Sequence, residues 1–238
     1  MSKQRLEGKV AIITGGGGGI ASAAGRIFSA EGAKVALIDR AAETVEPVAE
    51  DIRRCVPGAQ VLPLVVDLGT ETAAQFAVDE VLQTFGKIDV LVNNVGIRRY
   101  GALADAPWDT WDDIVRVNLL SFVSMARAAL PPLRQSGRGS IINVSSTYAV
   151  YGRKGMGAYD ATKAAVLSLT RTLAFEEGGH GVRVMQSARA LRGRHSTSIG
   201  LAPPKSTNWF HPASCSVGRT PRNLPIQCFG LLPTKPCM

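Results

Sequence analysis

Tyr159 and Lys163 stand four residues apart, and on a helix that spacing sets both side chains on one face. A phenol with its ordinary pKa of about 10 is a poor proton carrier near neutrality. A neighbouring ammonium stabilises the phenolate and makes the pair a usable proton donor and acceptor. The spacing alone is common on helices, where a solvated surface pair is the ordinary reading. Ser146 changes the balance, because it closes an apolar run and its hydroxyl can hold a substrate oxygen against the tyrosine. A second group suits a phosphate. Gly15 to Gly19 form an unbroken glycine run followed by Ile20. Glycines there allow a tight turn and close backbone approach to a dinucleotide pyrophosphate, and a following helix offers free N–H groups. Asp39 lies about 20 residues further on, where a carboxylate can accept hydrogen bonds from an adenosine ribose and repel a 2′-phosphate. That favours NAD over NADP. A helix N-cap is the plainer role for Asp39, and the adjacent Arg40 could still meet a 2′-phosphate.

These residues need a scaffold, and the hydrophobic pattern supplies one. Short apolar strands alternate with longer helical segments, the mark of βαβ units and a parallel sheet. Strands are expected at residues 10–14, 34–39, 61–66, 90–92 and 140–144, with a sixth beginning at 182–184. Helices are expected at residues 20–31, 45–54, 70–85 and 159–177. A long helix should run from Trp108 towards Leu130, its end perturbed by Pro131 and Pro132. The glycine run falls between the first strand and the first helix, and Ser146 falls at the carboxyl edge of the sheet. Ligands bind at that edge in open α/β sheets. The expected fold is a doubly wound, Rossmann-type parallel sheet in a single α/β domain.

The net charge of +8 would ordinarily hint at an acidic partner. Its distribution argues against that. All 19 acidic residues lie at or before Glu177, and seven of the 27 Lys and Arg lie beyond Val184. The first 184 residues therefore carry 20 basic against 19 acidic groups, so neither nucleic acid nor a membrane surface is implied for them. No apolar run reaches the roughly 18 residues of a membrane span, and the polar start lacks a signal-peptide core, so a cytoplasmic location is expected. Cys55 stands alone in the body, while Cys215, Cys228 and Cys237 fall late, without C-x-x-C spacing. His180, His195 and His211 lack metal-ligand spacing, and no metal is expected.

Taken together, Thr14-Gly15-x-x-x-Gly19-Ile20, Asp67, Asn93-Asn94-Val95-Gly96, Asn118, Ser146 and Tyr159-x-x-x-Lys163 resemble the short-chain dehydrogenase/reductase family. The 3-oxoacyl-carrier-protein-reductase-like members are nearest in pattern, and the motifs cover residues 6–184. The resemblance implies an NAD(P)-dependent oxidoreductase that interconverts an alcohol and a ketone or aldehyde. It implies Tyr159 as general acid/base and Lys163 as the group that lowers its pKa and binds the nicotinamide ribose. Ser146 would position the carbonyl or alcohol, and Asn118 would hold a water in a proton relay. Gly15, Gly19, Ile20, Asp39, Asp67, Asn93 and Gly96 would serve the cofactor. Ala21 replaces a usual third glycine and Val95 a usual alanine; neither removes a chemical group. The partners implied are a small alcohol or carbonyl substrate and further copies of the chain. Arg98, Arg99 and Tyr100 follow the motif strand and could suit a carboxylate or an acyl carrier, although such clusters are more often solvated loops.

The pattern breaks after Val184. The family continues Asn-Ala-Val/Ile-x-Pro-Gly, whereas this chain reads Met185-Gln186-Ser187-Ala188-Arg189-Ala190-Leu191-Arg192. Back-translation with TCN for Ser and CGN for Arg, and one base restored before the Met codon, gives xAT, GCA, RTC, NGC, NCG, NGC, NCT and NCG. These permit Asn, Ala, Val or Ile, a free position, then Pro, Gly, Ala and Thr. A one-base loss near codon 185 accounts for the missing segment, the absence of acids and the late cysteines. The expectation is a dinucleotide-binding and catalytic domain over residues 1–184, incomplete at its C-terminal end. Residues 185–238 would be an aberrant tail, disordered or poorly packed by composition. An altered C-terminus would limit assembly to a dimer. The alternative function is a catalytically impaired remnant.

Overall fold

The structure, a computed structural model of the chain, describes residues 4–70 and 72–189. Six parallel strands carry it: β1 (Val10–Thr14), β2 (Lys34–Asp39), β3 (Val61–Val65), β4 (Val90–Asn93), β5 (Ser140–Ser146) and β6 (Arg183–Arg189). They pair in the order β3-β2-β1-β4-β5-β6, with Ile12 beside Ala36 on one side and Leu91 on the other. The chain thus runs outward from β1 in one direction, returns, and runs outward again. The crossovers put helices on both faces.

Helices α1 (Gly19–Ala30) and α2 (Ala42–Cys55) pack Ala21, Val45, Ala49 and Ile52 on Ile13, Val35 and Leu37. Helices α3 (Ala73–Phe85), α5 (Ser121–Gln135) and α6 (Gly157–Glu177) cover the opposite face with Ala77, Val81, Met125, Leu133 and Leu173. Val10 to Ile13 are all fully buried, as a central parallel strand covered on both faces requires. Pro63 sits in β3, an edge strand of the described sheet, where the missing N–H donor can face away from a neighbour.

The long helix differs from expectation in two ways. It continues through Pro131 and Pro132 to Gln135, because Leu133 is fully buried and core packing outweighs the roughly 3 kcal/mol a helical proline costs. It also contains a π-turn at Arg116–Leu120, between α4 (Trp108–Val115) and α5, where the Ser121 N–H bonds to the Arg116 carbonyl. The continuous 28-residue helix is long and apolar enough to cross a membrane by length and composition. Its apolar side, including Phe122, Met125 and Leu133, is buried within the protein instead.

The last described strand extends past residue 184. Backbone pairing of β6 with β5 runs on to Arg189, five residues further, because ladder hydrogen bonds use main-chain groups and ignore side-chain identity. Side-chain burial ends earlier than the pairing: Val182 and Val184 are 1% and 7% exposed, Met185 is 43% exposed, and Gln186, Ser187 and Ala188 are all exposed. The expectation for the remainder of the tail falls on residues 190–238, outside the described residues.

Candidate active site

The carboxyl ends of β1, β4 and β5 meet the N-terminal half of α6 around a cavity of about 360 Å³. Ile20, Asn94, Gly96, Arg98, Tyr159 and Lys163 are among its walls. Side-chain to backbone bonds lock its floor. Thr14 Oγ1 accepts from the N–H groups of Asn94 (2.9 Å) and Val95 (3.1 Å), and Asn94 Nδ2 donates to the Thr14 carbonyl at 3.0 Å. Asn118, fully buried, accepts from the Ile97 N–H through Oδ1 at 2.8 Å and donates from Nδ2 to the Ile97 carbonyl at 3.0 Å. The π-turn inserts one residue into the helix at this point, and its Asn118 fixes the chain leaving β4.

Lys163 is held from both ends. Its Nζ donates to the Val144 carbonyl at 2.9 Å, and its own carbonyl accepts from Ser145 Oγ at 2.9 Å. The side chain is 3% exposed and forms no ion pair among the described residues. Burial, aided by the positive charge of Arg98, pushes the ammonium down from its ordinary value to about 8. Tyr159, 6% exposed, sits among cations: Nζ of Lys163 lies 5.8 Å from its ring centre, and the guanidinium carbons of Arg98 and Arg153 lie at 5.5 and 5.2 Å. Arg153 is neutralised by Asp160, which accepts at 2.9 Å from Nη2, and it also stacks on Tyr148 at 3.9 Å. Ser146 closes β5 at 7% exposure, and its Oγ accepts from the Tyr148 N–H at 3.2 Å, leaving its own proton to donate elsewhere.

The glycine run divides its labour. Gly15 has φ +70°, and a Cβ there would come within 3.0 Å of Val95 Cα, so the turn needs glycine. The N–H groups of Gly16, Gly17 and Gly18 are engaged by the Ile38 carbonyl, Asp39 Oδ2 and the Gly15 carbonyl. Gly19 and Ile20, the first two residues of α1, keep their donors, with no acidic group in that turn, and nothing lies within 4 Å of a Cβ added at Gly19. Asp39 is not the cap of α2, whose N-cap is Ala41. Its carboxylate instead accepts from the Gly17 N–H at 2.9 Å and the Arg40 N–H at 2.8 Å, at the mouth of the loop. Asp67 is exposed, and one carboxylate oxygen accepts from the Gly69 N–H. A Cβ at Gly96 would lie 3.4 Å from Asn118 Oδ1 and 3.7 Å from Lys163 Nζ, narrowing the passage between them. The open first turn, the cleared space and the carboxylate at the second strand's end fit a dinucleotide.

Asn93 points away from the cavity. Its Nδ2 donates to Asn143 Oδ1 at 2.9 Å, Asn143 Nδ2 donates to Thr170 Oγ1 at 3.0 Å, and Asn93 Oδ1 is buried without a partner. It ties β4 to β5 and α6, while its neighbour Asn94 lines the cavity. Sequence reasoning singled out neither Asn143, whose partners Asn93 and Thr170 come from distant elements, nor Arg153, whose partner Asp160 stands seven residues on. Arg98 carried a usable signal, its place directly beyond the motif strand.

The family model described as short chain dehydrogenase matches residues 9–190. Over 180 residues the chain is 37% identical to a 3-oxoacyl-acyl-carrier-protein reductase of Thermotoga maritima, a span of 76% of this chain and 72% of that protein. It is 38% identical over 180 residues to meso-2,3-butanediol dehydrogenase of Serratia marcescens, with 76% and 70% covered. Among solved structures, NAD⁺-bound xylitol dehydrogenase is similar with a TM-score of 0.74 and 31% identity, covering 77% of this chain and 70% of that one.

Proposed function

The chain belongs to the short-chain dehydrogenase/reductase family, and from that premise we propose that it interconverts an alcohol and a ketone or aldehyde, with Tyr159 as general acid/base and NAD as cofactor. The observation that carries this reading is the buried Lys163, a cation without a carboxylate, beside Tyr159 in the cavity. Burying an uncompensated ammonium is costly, and its use is to stabilise a phenolate next to it. In the reductive direction the Tyr159 hydroxyl gives its proton to the substrate oxygen, and the Lys163 ammonium stabilises the phenolate left behind. The Ser146 hydroxyl donates to the same oxygen and holds the carbonyl in line. Asn118 keeps the Ile97 segment in register beneath them, the water-holding role implied by the resemblance being additional to that clamp.

Gly19 and Ile20 would bind the pyrophosphate, with Gly15 shaping the turn, Asp39 the adenosine ribose, Asp67 the adenine and Lys163 the nicotinamide ribose. Asn93 supports the cofactor floor by anchoring the end of the strand that leads into Asn94 and Gly96. Bound there, the nicotinamide supplies the hydride donor or acceptor. The Asp39 carboxylate beside Gly17 supports NAD over NADP, since a 2′-phosphate would meet its charge. Homo-oligomer formation is supported by the exposed Trp108, Leu120 and Phe175 on the long helices. A small-molecule substrate is the expected partner.

One observation favours the second reading, a catalytically impaired member: side-chain burial in β6 ends at Val184, where the family segment ends. Tyr159→Phe decides the mechanism. It is expected to lower kcat about 1,000-fold while NADH affinity, read by fluorescence titration, changes less than about twofold. Retention of a tenth of the wild-type rate would remove Tyr159 from its role. NADH binding by the wild type without turnover on a broad ketone panel would select the impaired reading.

A further inference from the structure

We infer that Arg98 makes this active site selective for an alcohol or ketone carrying a carboxylate, a hydroxy acid or oxo acid rather than a neutral substrate. The inference rests on the oxidoreductase reading above and adds the substrate class. Three cations gather around the Tyr159 ring, and their situations differ. Arg153 is fully engaged by Asp160, with Nε contacts at 3.2 and 3.3 Å and an Nη2 contact at 2.9 Å. Lys163 is buried against the Val144 carbonyl. Arg98 lines the cavity, stacks over Tyr159 at 5.5 Å and has no acidic partner among the described residues.

A guanidinium normally finds a carboxylate or stays in water, since its planar fork is built for two parallel hydrogen bonds to two oxygens. Arg98 does neither fully. Its backbone is not adrift, because the preceding residue, Ile97, is clamped at both N–H and carbonyl by the buried Asn118. The charge is therefore carried on an anchored backbone and lies 5.5 Å from the ring of the tyrosine that handles the proton. It also weighs on Lys163, whose ammonium it helps to push down. A substrate carboxylate on Arg98 would cancel that repulsion and return Lys163 towards its charged form as the substrate binds. Neutral alcohols cannot do this.

The test pairs acids with neutral analogues: 2-hydroxybutanoate and 3-hydroxybutanoate against 2-butanol, and 4-hydroxypentanoate against 2-pentanol, each with NAD. At least one acid is expected to exceed its neutral partner in kcat/KM by tenfold or more. Arg98→Gln should cost that acid at least ten times more than it costs the alcohol, mostly through KM, and Arg98→Lys should recover part of the loss. Saturation-transfer NMR of the same acids in the presence of NAD gives binding without turnover, and a thermal melt checks that each variant is folded. Turnover without preference for any acid, or equal losses on acid and alcohol in Arg98→Gln, overturns the inference and leaves the oxidoreductase reading standing. A matching rise in the NAD dissociation constant would assign Arg98 to the cofactor and overturn it equally. Arg98-dependent acid binding without any turnover would uphold the inference and remove the oxidoreductase reading. Absence of both binding and turnover removes both.

Discussion

At the scale of single residues, the site uses charge in places where charge is expensive. Lys163 is buried, and its ammonium is pushed down to about 8 by burial first and Arg98 second. In the proposed mechanism its protonated form holds the phenolate, so kcat/KM for ketone reduction should fall as pH rises through about 8. Arg98→Gln removes one of the two causes and should move that falling limb to higher pH, which a pH–rate profile reads directly. The same burial predicts a trade of stability for function. Below about pH 8 the native state holds a desolvated ammonium that the unfolded chain keeps in water. Lys163→Met should therefore abolish turnover yet raise the melting temperature of the cofactor-free protein at pH 7. The gain should be on the order of 2 kcal/mol after loss of the bond to Val144. A lower melting temperature would mean that the lysine is a structural asset. Asp39 offers a parallel test. Asp39→Ala should weaken NAD binding and raise the NADP-to-NAD ratio of kcat/KM about tenfold, as a repulsive carboxylate near the 2′ position disappears. An unchanged ratio in paired cofactor titrations would leave Asp39 as only a tie to Gly17.

At the scale of elements, α6 matters most, because it carries Tyr159 and Lys163 near one end and must be held at the other. Arg134 near the end of α5 donates from Nε and Nη2 to Glu177, at the end of α6, at 2.8 and 2.7 Å. The Glu177 side chain is 4% exposed, and the guanidinium beside it, working against desolvation, holds its carboxyl below the usual range. A carboxyl lowered in the folded state contributes stability above the unfolded pKa of about 4.3, and the contribution is lost as pH falls through the lowered value. Arg134→Ala leaves a buried carboxylate without its cation and should cost about 2–3 kcal/mol at pH 7, a fall in melting temperature of about 5–10 °C. The gap from wild type should close as pH falls below the ordinary carboxylate range and Glu177 protonates in both proteins. A gap that persists at low pH would assign the loss to side-chain packing. Asp89 plays the matching part at the start of β1. Burial pushes its carboxyl up, but bonds from Lys9, the Val10 N–H and Lys87 outweigh that and hold it below its ordinary value.

At the scale of the molecule, β6 carries two kinds of information that disagree. Its backbone pairs with β5 to Arg189, yet its side chains cease to be buried after Val184. Main-chain pairing can extend through any sequence, whereas burial on both faces of a parallel strand demands apolar residues chosen for it. On the proposed frameshift reading, out-of-frame sequence would begin at residue 185, next to the point where burial stops. Restoring one base before codon 185 should yield a chain that continues Asn-Ala-Val/Ile-x-Pro-Gly. Expressed beside the present chain, it is expected to melt at least 10 °C higher, equivalent to a few kcal/mol, and to turn over substrate faster. Equal melting temperatures and equal turnover would establish residues 185–238 as a selected part of the protein.

The amino-acid sequence alone determined what repeats along the chain or rests on local spacing. The βαβ rhythm gave the parallel sheet, the glycine run fell at the first strand–helix junction, and Tyr159 and Lys163 fell on one turn-spaced face, as they do in the structure. Those features depend on period and backbone geometry, which neighbouring residues carry. Long-range contact decided the rest. Propensity ends a helix at Pro131, but the buried Leu133 carries it on to Gln135. Nothing in residues 116–120 announces a π-turn, whose purpose is a clamp from Asn118 onto Ile97, 21 residues away in sequence. Asn93 and Asn94 are chemically identical and adjacent, yet Asn93, the last residue of β4, bonds into the β4–β5 seam, while Asn94, just beyond the strand, bonds to Thr14 and lines the cavity. Arg98 is legible in the sequence only as a cation directly beyond the motif strand, and Arg153 carries no signal of its own. Only the fold gives Asp160 to Arg153 and leaves Arg98 facing the site, because a charge is defined by which partner reaches it first in space.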